Sequence, residues 1–330
     1  MKLLVTGGLG FIGSNFIHRV LGLGKNFEII NVDAELSGSD KKNLTGIKKN
    51  QNYKFVKGNI TDRTLMEKVI TKCDVVVNFA AESFVDRSIN DVNPFLLSNI
   101  HGAYIMLDII TKQKKRMVQI STDEVFGSLA TDTANEETKL NASNPYAATK
   151  AAAEILINSY HKTYGADVVI TRCTNNYGPR QFVEKLIPKT ILLAHKDNKI
   201  PIYGNGKNIR DWIFVDDHCD AVLLALLDGK AGSSYNISAD NEIDNLTIVK
   251  KILETMNKPN ELIEFVEDRP GHDYRYSMSS KKISTKLGWK KKIKFEDGLK
   301  VTIRWYLENI DKWKNTPSQV LDKTPWKSVG

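Results

Sequence analysis

The segment that most constrains the fold is a run of glycines between an apolar stretch and an amphipathic one. Gly7, Gly10 and Gly13 follow the predicted strand Lys2–Thr6, whose centre is apolar, and open a helical pattern over residues 11–23. Glycine permits a tight turn and lets the backbone come close to a ligand, and the N–H groups at the start of a helix can bind an anion. This arrangement predicts the first strand, turn and helix of a dinucleotide-binding sheet.

Apolar segments and helical patterns alternate through the rest of the first half. Strands are predicted at Lys2–Thr6, Phe27–Val32, Tyr53–Val56, Asp74–Phe79, Met117–Ser121 and Val168–Cys173, and helices at residues 11–23, 62–72, 95–114 and 145–163. The strands are nearly continuous in Val, Ile and Leu, which is typical of parallel strands covered by helices on both faces. The expected fold is therefore α/β, a doubly wound, Rossmann-like parallel sheet.

The second half has a mixed and turn-rich pattern. Helices are predicted at residues 185–196, 216–228, 245–257 and 296–310, and strands at Ile200–Tyr203, Trp212–Val215 and Ser234–Ile237. We therefore expect a cofactor-binding domain, residues 1–176, and a smaller mixed α/β lobe for the substrate, residues 177–330. The pattern also allows part of residues 212–230 to pack on the first domain.

Composition excludes several classes of function. The formal charge of +8 is spread along the chain, with small clusters at Lys112–Arg116 and Lys290–Lys294 and no interleaved aromatic residues, so we expect no nucleic-acid partner. No apolar run approaches the roughly 20 residues of a membrane span, and we expect no targeting segment. Cys73, Cys173 and Cys219 are far apart and lack metal-ligand spacing, which favours a reducing cytoplasm and predicts neither disulfides nor a metal site.

Asp33 follows the second strand, about 20 residues after the glycines, where a carboxylate can accept hydrogen bonds from ribose hydroxyls. Its charge would repel a 2′-phosphate, and the glycine turn carries no Lys or Arg to receive one. NAD is therefore favoured over NADP. The alternative is a solvated acid at the end of a strand.

Tyr146 and Lys150 are four residues apart on a predicted helix and so share one face. A lysine cation can stabilise a phenolate, and we expect it to lower the pKa of Tyr146 from its usual value of about 10. Thr122, at the end of a predicted strand, adds a hydroxyl at the edge where such sheets hold their ligands. Next to a nicotinamide these groups can oxidise an alcohol. Taken alone, a Tyr and a Lys at this spacing could also be two exposed residues on the surface of an amphipathic helix.

Asp123 and Glu124 add two neighbouring carboxyl groups that a plain dehydrogenase does not need. If one is neutral and the other ionised, they supply an acid and a base for expelling water. The combination suggests a dehydratase that uses transient oxidation. The alternative is a loop pair that faces solvent.

With these residues the chain resembles the extended short-chain dehydrogenase/reductases, specifically the dTDP-glucose 4,6-dehydratases. The resemblance runs from residue 5 to about residue 276. The matching stretches are VTGGLGFIGSNF, NFAAESFVDRSI, ISTDEVFGS, NPYAATKAAAE, RCTNNYGPRQFVEKLIP, PIYGNGKNIRDWIFVDDH and EDRPGHDYRY.

The resemblance implies that Tyr146, helped by Thr122 and Lys150, takes the proton of the sugar C4 hydroxyl. Glu124 would then remove the C5 proton, and Asp123 would protonate the departing C6 hydroxyl. It implies NAD contacts from Gly7, Gly10, Phe11, Ile12, Gly13, Asp33, Asn59, Ile60, Ala80, Ala81, Ser98, Tyr146, Lys150 and Asn176. It implies nucleotide-sugar contacts from Ser83, Thr122, Asn175, Lys185, Leu186, Pro201, Tyr203, Arg210, Asn245, Arg269 and His272. It further implies a homodimer through the helices at 95–114 and 145–163, and a place in dTDP-rhamnose synthesis.

Several residues depart from the pattern of this family. Asn59 stands where many members carry Asp, and Phe84, Phe126 and Arg180 replace other common residues; we expect these last three near the mouth of the substrate site. Two alternatives remain open. One is a nucleotide-sugar 4-epimerase or a UDP-glucuronate decarboxylase of the same architecture, and the other is a non-catalytic NAD-sensing protein.

Overall fold

The computed structural model describes residues 1–24, 27–314 and 316–327. Its strands are β1 Lys2–Thr6, β2 Glu28–Asp33, β3 Tyr53–Lys57, β4 Val75–Asn78, β5 Arg116–Thr122, β6 Val168–Cys173, β7 Asn175–Tyr177, β8 Ile200–Tyr203, β9 Ile209–Phe214, β10 Ser233–Ile237, β11 Glu242–Asp244 and β12 Ile263–Val266. Seven of these form one parallel sheet in the order β3-β2-β1-β4-β5-β6-β10. The predicted doubly wound α/β fold is confirmed.

The helices are α1 Phe11–Gly22, α2 Arg63–Ile70, α3 Val85–Asn90, α4 Asn93–Phe95, α5 Ala103–Lys112, α6 Pro145–Tyr164, α7 Leu186–His195, α8 Val215–Asp228, α9 Asn245–Thr255, α10 Lys281–Leu287 and α11 Phe295–Glu308. Two hydrophobic cores lie on opposite faces of the sheet. One includes Phe16, Ile17 and Val222 from α1 and α8, and the other includes Met66 and Met106 from α2 and α5. Strand order reverses between β1 and β4, which opens a crevice at their carboxyl ends.

The helix predicted over residues 95–114 is present, and it includes a π-helical turn, Leu96–Gly102, between α4 and α5. One sequence prediction about elements was wrong. The strand at Ser234–Ile237 was assigned to the second lobe, but β10 pairs in parallel with β6 at the edge of the large sheet. Local sequence pattern identifies such a strand but carries no information about which sheet it joins. Helix α8 packs on α1, where Arg19 binds Asp220 through two hydrogen bonds of 2.6 and 3.0 Å.

The remaining strands form two small sheets beside the crevice, in the orders β11-β9-β7 and β12-β8. A separate core rich in aromatic residues, including Tyr177, Trp212, Phe214 and Tyr306, packs the first of these sheets against α7, α9 and α11. A smaller core packs Ile200 and Ile202 of β8 against α7 and α9. Among the described residues, no helix is both long and apolar enough to span a bilayer.

Candidate active site

A cleft of about 490 Å³ lies at the carboxyl edge of the large sheet. Its walls include every residue that the sequence assigned to the cofactor: Gly7, Gly10, Phe11, Ile12, Gly13, Asp33, Asn59, Ile60, Ala80, Ala81, Ser98, Tyr146, Lys150 and Asn176. These side chains come from seven separate segments of the chain. The order of the strands brings them together at the point where the sheet reverses.

The glycine turn leaves no space for side chains. Gly7 has φ +67°, and a Cβ there would lie 2.7 Å from the backbone nitrogen of Ala80. A Cβ on Gly13 would lie 2.4 Å from the carbonyl oxygen of Gly7. Helix α1 begins after Gly10 with no side-chain cap from the described residues, so its first N–H groups are free to bind an anion. These features fit the pyrophosphate of a dinucleotide.

Asp33 turns inward at the end of β2 and is 5% exposed. Its carboxylate accepts hydrogen bonds from the backbone N–H groups of Leu9, at 2.9 Å, and Glu35, at 2.8 Å, and from the Ser39 hydroxyl at 2.9 Å. It is therefore not a solvated acid. The carboxylate links the glycine turn to the segment after β2, at the side of the cleft where a ribose would lie.

Helix α6 carries Tyr146 and Lys150, which are both buried. The helix starts at Pro145, and the side chain of Asn144 caps it by accepting a hydrogen bond from the Ala147 N–H at 2.9 Å. Lys150 Nζ donates to the carbonyl oxygen of Ile120 on β5 at 2.6 Å. This bond ties α6 to the large sheet.

The pKa values of this pair differ from the sequence prediction. Burial lowers the pKa of Lys150 to about 8. Burial, together with the nearby charge of Glu124, raises the pKa of Tyr146 well above 10, so the predicted lowering is wrong. The Thr122 hydroxyl, which contacts the phenol, acts in the opposite direction.

Thr122 ends β5, and a short 3₁₀ turn, Asp123–Phe126, follows it. The Thr122 hydroxyl accepts from the N–H of Glu124 at 3.3 Å and donates to Oδ1 of Asp123 at 3.1 Å. Asp123 is 3% exposed, and its Oδ2 has no hydrogen-bond partner within the described part of the chain. Burial, with Glu124 nearby, raises the pKa of Asp123 to about 8. Asp123 is therefore a neutral acid near pH 7 and does not face solvent.

Glu124 is half-buried and lies where two cavities meet. Its Oε2 atom accepts a hydrogen bond from Nδ2 of Asn144 at 3.2 Å and lies 3.3 Å from the hydroxyl of Tyr276. The two carboxyl groups thus differ in their surroundings: that of Asp123 is enclosed and protonated, and that of Glu124 is open to the cleft.

A second cavity, of about 170 Å³, adjoins the first. Residues that line both are Phe84, Glu124, Asn175, Asn176, Gln181 and Lys185. Of the residues predicted to bind the substrate, Ser83 and Thr122 line the first cavity, Asn175 and Lys185 line both, and Leu186, Pro201, Tyr203, Arg210, Asn245, Arg269 and His272 line the second. The continuous space allows one elongated ligand to reach from the second cavity to the Asp–Glu pair.

Three basic side chains around the second cavity, those of Lys185, Arg269 and His272, have hydrogen-bond partners in the protein. Lys185 Nζ donates to the carbonyl oxygen of Ser83 at 3.0 Å, and burial lowers the pKa of Lys185. Arg269 pairs with Asp86 at 2.9 Å. His272 contacts Asp268 at 2.6 Å, but burial, with Arg269 nearby, lowers the pKa of His272 to about 4. The histidine is therefore neutral near pH 7.

Sequence reasoning missed three residues that hold the predicted ones: Asn144 and Tyr276 beside Glu124, and Asp86 beside Arg269. Each lies inside one of the stretches that carry the family resemblance, which was the available signal. Of the three departures expected near the substrate mouth, only Phe84 lies there. Phe126 is buried beneath Arg172, and Arg180 binds Asn15 on α1.

The sheet order, together with the Tyr–Lys pair on α6, identifies the protein as a short-chain dehydrogenase/reductase of the extended type. The chain belongs to the GDP-mannose 4,6 dehydratase family, whose model matches residues 4–302. This finding confirms the resemblance seen in the sequence.

Relatives of known function align along almost the whole chain. A dTDP-glucose 4,6-dehydratase of Streptomyces niveus is 41% identical over 319 residues, covering 95% of this chain and 95% of the relative. The low-salt glycan biosynthesis protein Agl12 of Haloferax volcanii is 44% identical over 308 residues, covering 93% of this chain and 99% of the relative. The crystal structure of DesIV, a dTDP-glucose 4,6-dehydratase of Streptomyces venezuelae with NAD bound, has a TM-score of 0.93 at 39% identity, covering 95% and 99% of the two chains.

Proposed function

We propose that this protein is a dTDP-glucose 4,6-dehydratase, which converts dTDP-glucose to dTDP-4-keto-6-deoxyglucose and water with NAD as its cofactor. The observation that carries the proposal is the placement of Asp123 and Glu124 with Tyr146 in the wall of the first cavity, with Glu124 at its junction with the second. The similarity to dehydratases of this substrate over nearly the full chain supports it.

The first step we propose is oxidation at C4 of the sugar. Bound NAD would supply the chemistry of this step by accepting hydride from C4 and returning it later to C6. Tyr146 is assigned the proton of the C4 hydroxyl as general base, a role that requires the raised pKa of its phenol to fall when a cationic nicotinamide lies beside it. Thr122 would turn its hydroxyl proton from Asp123 to the phenolate, and the cation of Lys150 on the same face of α6 assists it.

The second step is loss of water from C5 and C6. The C4 ketone makes the C5 hydrogen acidic, and the half-buried Glu124 removes it. Asp123, which is protonated because it is enclosed, gives its proton to the C6 oxygen as the C–O bond breaks. The unpaired Oδ2 of Asp123 is the atom we assign to this donation.

The nucleotide diphosphate is proposed to lie in the second cavity. Lys185, Arg210 and Arg269 place three cations along it, which suits two phosphate groups. Tyr203 offers an aromatic wall near the far end, which suits a base. NAD is proposed to occupy the cleft around the glycine turn.

The same geometry weighs against the two alternatives. An epimerase shares the hydroxyl, phenol and ammonium but needs no protonated acid beside a carboxylate base. A non-catalytic NAD-binding protein would have no need of a Tyr–Lys pair buried next to the Asp–Glu pair. Neither alternative explains why Asp123 is enclosed and neutral.

The test is incubation with NAD and dTDP-glucose, followed by alkali, which reveals a 4-keto-6-deoxy sugar by its ultraviolet absorbance. UDP-, CDP- and GDP-glucose run in parallel establish which base is accepted. Recovery of unchanged glucose or of galactose with all four substrates would refute the proposal.

We also propose the domain division 1–176 and 177–330, with β10 and α8 reassigned to the large sheet, and a homodimer through α5 and α6. Large apolar side chains are exposed on α6 and on the π-helical turn that precedes α5, including Leu96, Ile155 and Tyr164. The mass in solution, measured by light scattering, tests the dimer; Ile155→Glu should give a monomer, whereas a dimer that persists in this variant contradicts the proposed interface.

We further propose a cytoplasmic location and a supply of precursor for dTDP-rhamnose. Three buried free thiols, on Cys73, Cys173 and Cys219, suit a reducing compartment. The rhamnose content of cells lacking the protein tests the pathway, and unchanged content would exclude it.

A further inference from the structure

The hydroxyl of Tyr276 lies between two carboxyl groups. It is 3.3 Å from Oε2 of Glu124 and 2.6 Å from Oδ2 of Asp273. Tyr276 is 2% exposed and Asp273 is 5% exposed, so bulk water does not separate these two groups. The phenol comes from the segment after β12, which is 152 residues from Glu124 in the chain.

A phenol has one proton and can donate it to only one of these neighbours. The contact with Asp273 is shorter by 0.7 Å, the difference between 3.3 and 2.6 Å, and has the length of a hydrogen bond to a charged oxygen. Burial, with the charge of Glu124, raises the pKa of Tyr276 well above 10, so the phenol keeps its proton. That proton is committed to Asp273.

Tyr276 therefore presents an oxygen lone pair to Glu124. An ionised Glu124 has no hydrogen to share and gains nothing from this contact. Once Glu124 has taken a proton, it can donate a hydrogen bond to the phenol oxygen. The contact thus becomes favourable only during the reaction, which is the kind of interaction that raises a rate.

We propose that Tyr276, oriented by Asp273, is a positioning residue that stabilises Glu124 after it has received the C5 proton. This inference rests on the proposed dehydratase function. The C5 proton passes to Oε2 of Glu124, the C5 electron pair forms the C5–C6 double bond, and the C6 oxygen leaves as water with the proton of Asp123. The proton on Glu124 then points at Tyr276, while Asn144 continues to donate to the same carboxyl group.

Tyr276→Phe tests the proposal, because phenylalanine keeps the ring that packs under the guanidinium of Arg210 at 4.2 Å. Tyr274→Phe is the matched control, since Tyr274 belongs to the same segment but is 51% exposed. We expect Tyr276→Phe to lower kcat about tenfold, to increase the isotope effect of deuterium at C5, and to leave the single-turnover rate of C4 oxidation unchanged. The control should match the wild type throughout. An unchanged kcat and isotope effect, or an equal loss in C4 oxidation, would overturn the proposal.

Asp273→Asn provides a second test that keeps the phenol. An asparagine amide can donate to the phenol oxygen, which lets the Tyr276 proton turn towards ionised Glu124 and weakens the base. We expect the same slow C5 step, and no further loss in the variant that combines both changes, because both act through one hydrogen bond. Losses that multiply in the double variant, or a normal C5 step in Asp273→Asn, contradict the proposal. A wild type that forms no keto sugar refutes the dehydratase function itself, and with it the role given to Tyr276.

Discussion

Asp86 and Arg269 form an ion pair of 2.9 Å at the wall of the second cavity, although 183 residues separate them in the chain. Asp86 lies on α3 and Arg269 follows β12, and both side chains are 14% exposed. The hydroxyl of Tyr203 donates to the other oxygen of Asp86 at 3.3 Å. The pair holds a guanidinium at the place proposed for the diphosphate.

Arg269→Met should lower the free energy of unfolding by about 1–3 kcal/mol, because the enclosed carboxylate of Asp86 loses its partner. Adding Asp86→Asn removes that charge, so the double variant should recover most of the stability. Affinity for dTDP should stay at least about tenfold weaker in both, since the cation is missing from both. Chemical denaturation and calorimetric titration measure the two effects. A double variant as unstable as the single one would contradict the ion pair, and normal dTDP affinity would contradict the binding role.

The rate of dehydration should fall as the pH rises through about 8. Asp123 is protonated only below its raised pKa of about 8, and Lys150 is cationic only below its lowered pKa of about 8. Both the acid and the cation are therefore lost in the same range. The pH profile of kcat measures the loss, and the profile of C4 oxidation alone isolates the contribution of Lys150. A rate of the C5–C6 elimination step that keeps rising above this pH would exclude the assignment of Asp123 as the acid.

Glu124→Gln should stop the reaction after C4 oxidation. The amide cannot accept the C5 proton, so kcat should fall by a factor of about 10²–10⁴. Single-turnover absorbance of the reduced nicotinamide should still appear, whereas incorporation of deuterium from solvent at C5 should cease. Normal incorporation at C5 would remove Glu124 from the role of base.

Gly7→Ala should destabilise the protein by about 2 kcal/mol and weaken NAD binding, because a side chain at φ +67° meets the backbone at Ala80. Gly22→Ala is the control: it ends α1 with nothing within 4 Å of the added carbon. The control should be as stable as the wild type or more stable, by up to about 1 kcal/mol. Thermal unfolding with and without NAD measures both, and equal behaviour of the two variants would contradict the argument.

Trp326→Ala should raise KM for dTDP-glucose with little change in kcat. The Trp326 ring packs edge-on against Tyr203, with centroids 4.7 Å apart, and the backbone beside it is bound by Asn90 at 3.1 Å. Loss of the indole leaves the aromatic wall of the second cavity unsupported. Lys327→Ala, which removes only an exposed ion pair with Glu267, should behave as the wild type. A normal KM in Trp326→Ala would show that this wall does not contact the nucleotide.

Much of the fold followed from local pattern. Alternating strands and helices predict a doubly wound sheet, and parallel strands bring their carboxyl ends to one edge, so the residues after β1, β4 and β5 had to meet. Membership of β10 in that sheet was not predictable, because its pairing with β6 joins segments about 60 residues apart.

The sequence predicts which residue types form the candidate site. It does not predict those of their properties, such as pKa values and supporting contacts, that depend on neighbours distant in the chain. The Asp–Glu pair and the Tyr–Lys spacing are visible in the sequence. The pKa of Tyr146 is not, because enclosure and the carboxyl groups opposite it outweigh the cation four residues away. The contact between Asp86 and Arg269 joins residues 183 apart in the chain, and that between Tyr276 and Glu124 joins residues 152 apart. Local sequence spacing cannot predict contacts over such separations.

Asn144 performs two tasks with one amide group. Its oxygen fixes the first turn of α6, and its nitrogen holds the carboxyl group of Glu124. Aspartate could cap the N-terminus of α6 equally well but would place a second negative charge beside Glu124. Serine could cap the helix too, but its side chain is too short to reach the Glu124 carboxyl group. The start of α6 and the orientation of Glu124 are therefore coupled through one side chain. A shift of α6 along its axis would move the carboxyl group proposed to remove the C5 hydrogen.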